Sequence, residues 1–125
     1  MQLASRVYDA DSISAVQELY HSNGWTDGLP IVPPTADAVQ ACLDWAMMPP
    51  DQLIGIEPVR GLAVTAEKLA INAVMAGCLP MHFPAVVTAW KNDFVRLYTS
   101  RSSRSARQTK IPSTPTVCTA PSMPG

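Results

Sequence analysis

One helix constrains this chain more than any other feature. Thr65 is a good N-cap, Glu67, Leu69, Ile71, Ala73, Val74 and Ala76 follow it, and Gly77 closes the segment. Such a helix is apolar nearly all round, so it has to be covered on most of its faces rather than along one stripe. With 125 residues the chain has room for one small domain to do the covering.

Three further helices are predicted. Asp11 and Ser12 precede Ile13, Val16, Leu19 and Tyr20, which share one helical stripe, and Asn23-Gly24 supplies the stop. Thr35 caps a second helix with Val39, Leu43 and Met47 at intervals of four, Cys42 beside that stripe and Pro49-Pro50 at its end. Pro84 suits the first turn of a fourth, whose apolar side is Val86, Val87, Trp90, Phe94 and Leu97. The run Leu53-Ile54-Gly55-Ile56 reads as a short strand with no identified mate, and a lone strand leaves its backbone unpaired. These pieces cover only part of the third helix. The expected fold is therefore mainly α with one or two short strands, the N-terminal helical fragment of a larger α/β fold or one protomer of an oligomer.

The organisation expected is a flexible N-terminus over 1–10, a helical body over 11–98 and a disordered tail over 99–125. Residues 1–98 carry five basic residues against ten acids, and residues 99–125 carry four basic residues and no acid. A basic arm on an acidic body can mark nucleic-acid binding, but four dispersed charges without aromatic residues offer no stacking surface, which argues against it. The tail is rich in Ser, Thr, Pro and Arg, with Ile111, Val117 and Met123 isolated, too little apolar surface to offset the entropy of ordering. Its abrupt start near Tyr98 also matches out-of-frame reading of a GC-rich gene. The 47% hydrophobic content excludes full disorder. Asn72, Pro80, His82 and Pro84 interrupt the longest uncharged stretch, so no membrane span is expected. No secretory signal is visible.

Two segments could carry chemistry. The stiff loop from Gly24 to Thr35 holds Trp25, Asp27, Gly28 and Pro30, and could line a pocket with an indole wall and a carboxylate; it could equally be a connector whose Trp fills a gap. The second segment runs from Asn72 to Pro80, with Cys78 just past a helix end and His82 nearby. Cys78 and His82 could act as nucleophile and base, or Cys78 could be a buried structural thiol. Asn72 could be a ligand-binding residue or a hydrogen-bonding one within the core. Cys42, Cys78 and Cys118 form no Cys-x-x-Cys motif, and with His21 and His82 they show no metal-site spacing. An odd cysteine count without a signal peptide suits the reducing cytoplasm. Asp51, Glu57 and Glu67 read as solvated acids. Gly55 and Gly61 belong to no phosphate-binding pattern, and no motif indicates a cofactor.

Trp25, Asp27, Gly28, Pro30, Pro33 and Pro34, together with Asn72, Gly77, Cys78, Pro80 and the following Phe83-Pro84-Ala85-Val86-Val87, resemble the N-terminal part of a bacterial family. Its longer members stand beside, or are fused to, small proteins with a Sec/Cys-Gly-Ser-Cys motif, the UGSC selenoprotein group. The resemblance spans roughly residues 10–98. It implies an association with thiol or selenol redox chemistry and a UGSC-type partner. An acidic residue often follows the last proline in that family, where this chain has Met81, so a role needing a carboxylate there does not carry over. Two functions are thus expected: an incomplete fragment of a thiol-redox enzyme, or a non-catalytic helical module that binds a partner or itself through its third and fourth helices.

Overall fold

A computed structural model of the chain describes residues 2–57, 60–100 and 117–119, with side-chain surroundings through residue 92. In chain order the elements are β1 (Val7–Asp9), α1 (Ile13–Ser22), α2 (Ala36–Trp45), β2 (Leu53–Glu57), β3 (Leu62–Thr65), α3 (Ala66–Met75), a 3-10 turn (Pro80–His82), α4 (Phe83–Ser100) and β4 (Val117–Thr119).

The first three helices are delimited by the same devices at both ends. The hydroxyls of Ser12, Thr35 and Thr65 each accept the backbone N–H three residues on, from Ala15, Ala38 and Lys68. At the C-termini, paired bonds fold the chain back over the last turn. Trp25 N–H donates to Tyr20 O and Gly24 N–H to His21 O; Cys78 N–H donates to Ala73 O and Gly77 N–H to Val74 O. This closure needs a left-handed residue at the reversal, supplied by Gly24 at φ 66° and Gly77 at φ 86°. In α2 the bonds are Met48 N–H to Leu43 O and Met47 N–H to Asp44 O, and the left-handed residue is Met47 at φ 51°. Helix α2 therefore ends before the prolines expected to stop it.

Helices α2, α3 and α4 pack against one another, and the β2–β3 hairpin packs on α3 and α4. The main core is Val39, Cys42 and Leu43 of α2, six apolar residues of α3 from Ala66 to Val74, and Phe83 and Val87 of α4. Neighbouring elements thus cover the apolar surface of α3 within this chain, correcting the expectation that its own pieces cover only part of it. A smaller cluster holds Val16 and Tyr20 of α1 with Trp25 and Ile31, and Met75 touches both clusters.

The strand content corrects the expectation of one or two strands, since among the described residues four short ones form two pairs. The mate of β2 is β3, antiparallel, with Gly55 opposite Val64 and Ile56 opposite Ala63. The register shifts between Leu53 and Gly55, a bulge at Ile54 that turns this side chain toward the core. A Cβ on Gly55 would lie 2.9 Å from the Trp90 ring of α4, so the hairpin approaches the helix there as only glycine allows. The second pair is parallel, β1 with β4, Tyr8 opposite Cys118. Strand β1 lies in the segment expected to be a flexible N-terminus. Apart from 99–100 and 117–119, the expectations for the tail fall outside the described residues.

Candidate functional site

Cys78 follows Gly77 at the closure of α3, half-buried against the main core, to which fully buried Cys42 belongs. The 3-10 turn beyond Cys78 packs on α2. Both thiols are free. Burial pushes the Cys42 thiol above its ordinary pKa, and the neighbouring Cys78 thiol adds to the rise because two thiolates repel. Cys78 thus packs against the same core that encloses Cys42. His82 is exposed in the 3-10 turn, its N–H donating to Leu79 O, and no hydrogen bond joins its ring to Cys78 among the described residues. The amide of Asn72 donates to Lys68 O one turn back, which occupies it within its own helix.

The loop from Gly24 to Thr35 reaches this turn through its far end. Val32 N–H donates to Met75 O, and a Cβ on Gly77 would lie 3.8 Å from the Val32 side chain. The near end of the loop faces elsewhere. Trp25 packs edge-on against Tyr20, centroids 5.2 Å apart, and against Tyr8 at 5.8 Å, joining β1 to α1. The Asp27 carboxylate accepts the N–H of Leu29, and the Thr26 hydroxyl donates to Leu29 O, a local turn with Gly28 at φ 104°. Pro30 is exposed. Gln17 anchors the middle of the loop: its side-chain amide donates to Ile31 O at 2.6 Å and accepts from Ile31 N–H at 3.0 Å. Its place on the polar side of α1 in sequence gave no sign of this.

Glu67 corrects the expectation of a solvated acid. It is only 4% exposed. Its carboxylate accepts Ala4 N–H at 3.0 Å and Ser5 N–H at 2.9 Å, a charge-assisted pair of bonds that holds the N-terminal arm. A cleft of about 360 Å³ runs between that arm, the Pro50–Asp51 turn and the start of α3, with Arg6, Asp51 and Lys68 on its walls. The N-terminus of α3 does not face an open anion site there. Ala66 N–H donates to Gln52 O, Glu67 N–H to Pro50 O and Lys68 N–H to the Thr65 hydroxyl.

Comparison with protein-family models, with curated proteins and with solved structures found no match. Among the described residues no three metal-ligating side chains cluster, and no helix is long and apolar enough to cross a membrane.

Proposed function

We propose that the chain is a helical binding module that associates with a second copy of itself through the outer face of the β2–β3 hairpin. One observation carries this reading. The ladder register puts Leu53, Ile56 and Ala63 on the hairpin face turned away from Trp90, and Leu53 and Ile56 stay 54% and 56% exposed. The hairpin packs on α3 and α4 with one face only, and clustered apolar exposure on its other face marks an association surface. The expected contact thus moves from α3 and α4, whose described apolar residues are largely covered, to the hairpin. A two-fold pairing of identical faces needs no further component.

Light scattering over the micromolar range tests it. The expected result is a dimer that the double substitution Leu53→Lys, Ile56→Glu converts to a monomer of unchanged helical content. A monomeric wild type overturns self-association. If that monomer instead binds a UGSC-type protein through the same two residues, the module reading stands with that partner as occupant.

A second reading, an incomplete fragment of a thiol- or selenol-redox enzyme of the reducing cytoplasm, is favoured by Cys78, a half-buried free thiol at the turn that leaves α3. In it Cys78 is the reacting sulfur. Its rate of alkylation against pH is the test, since a reacting thiol shows a depressed pKa. Alkylation that rises only in the ordinary thiol range removes Cys78 from any such role.

A further inference from the structure

We infer that the cleft between the N-terminal arm and the start of α3 binds a small zwitterion, an α-amino acid with a short apolar side chain. Arg6 and Lys68 take its carboxylate, and Asp51 takes its ammonium group.

Hydrogen bonds to one buried residue bring the three charges to one place. Ser5 N–H donates to the Glu67 carboxylate at 2.9 Å, and Arg6 and Lys68 are the next residues on either side of that bond. Glu67 N–H in turn donates to Pro50 O, and Asp51 follows Pro50. Glu67 itself is enclosed and held from the arm side by Ala4 N–H as well, so its position is fixed. Arg6, Asp51 and Lys68 all line the cleft. Among the described residues none of the three side chains forms an ion pair or a hydrogen bond, so each keeps its bonding capacity for a ligand. The first N–H groups of α3 are taken up within the chain, which leaves recognition to these side chains.

Charge and size select the ligand class. Arg6 and Lys68 are balanced by Asp51 and Glu67, so the lining carries no net formal charge and does not concentrate a dianion. A ligand with one charge of each sign gains at both ends. The guanidinium fork matches a carboxylate bidentately, Lys68 adds a further donor, and the Asp51 carboxylate accepts from an ammonium group. The volume of about 360 Å³ stands near the lower end of the ~300–1,000 Å³ usual for small-molecule sites, which suits an amino acid. Ala4 and the buried Pro50 supply an apolar wall for its side chain.

Amide NMR titration of the intact chain tests this with three compounds: L-leucine, 4-methylpentanoate, which lacks the ammonium group, and 3-methylbutylamine, which lacks the carboxylate. The expected result is a saturable shift of the Ser5, Arg6, Asp51 and Lys68 amides at millimolar leucine or below. Each one-charge compound should bind roughly tenfold or more weakly, the loss of one charge-assisted contact. Equal binding of 4-methylpentanoate and leucine would mean that the cleft reads an anion only, which overturns the zwitterion. The substitutions Arg6→Gln and Asp51→Asn, both at exposed positions, should weaken leucine binding by a similar factor with the thermal midpoint unchanged. Leucine binding that survives both substitutions places the ligand elsewhere and overturns the assignment. No saturable shift with any of the three compounds overturns the site, and that comparison depends on no variant.

Discussion

Two backbone N–H groups share the Glu67 carboxylate, so the substitution Glu67→Gln does more than remove a charge. It turns one acceptor oxygen into an NH2 group that faces a donor. The expected loss of stability is ~1–3 kcal/mol, read by urea unfolding, with faster amide exchange at Ala4 and Ser5. Unchanged exchange at those two amides would mean that the carboxylate does not hold the arm. Cys42 supplies a second test at this scale. Its pKa is raised in the fold, so the folded state favours the neutral thiol. The stability it contributes is complete below the unfolded thiol's pKa of ~8.5 and is lost as pH rises through the higher folded value. The urea midpoint should therefore fall more steeply between neutral and alkaline pH in the wild type than in Cys42→Ala. At the residue scale the sequence was a poor guide to Glu67 and Cys42. The N-terminal arm and the packed core decide their surroundings, and nothing local to either residue announces segments that arrive from elsewhere in the chain.

At the scale of elements, three helices end in the same backbone motif, and only α2 builds it without glycine. A left-handed L-residue costs ~1–2 kcal/mol, and part of the gain from glycine is returned as ~0.4–1 kcal/mol of unfolded-chain entropy. Met47 is 89% exposed, so no packing is lost with its side chain. Met47→Gly should then stabilise the protein by ~0.5–1 kcal/mol, seen as a higher thermal midpoint; a lower midpoint would show that Met47 makes contacts that matter. Helix ends were the most legible part of the chain, because a cap and its stop lie within a few residues of each other. Ser12, Thr35, Thr65, Gly24 and Gly77 could be read directly. The strand Leu62–Thr65 could not, for it is four residues long and its last residue doubles as the cap of α3. Without β3, β2 had no mate and α3 seemed short of cover.

At the scale of the whole molecule, the described residues form two clusters of unequal size, joined through Met75. The cluster under α1 has only Val16 and Tyr20 fully enclosed. Opening of α1 should therefore require less free energy than opening of α2 or α3, and native-state hydrogen exchange should show α1 amides exchanging first. Equal protection in all three helices would mean that the clusters behave as one core. The N-terminal arm crosses to the start of α3, where Ala4 meets a carboxylate 63 positions further along the chain. That connection has a consequence for biosynthesis. At ~5–20 residues per second, the ribosome releases Ala4 and Ser5 seconds before Glu67 exists, and longer before Glu67 clears the exit tunnel. During that interval the arm has no anchor, and a chaperone or protease that acts on nascent chains meets it bare.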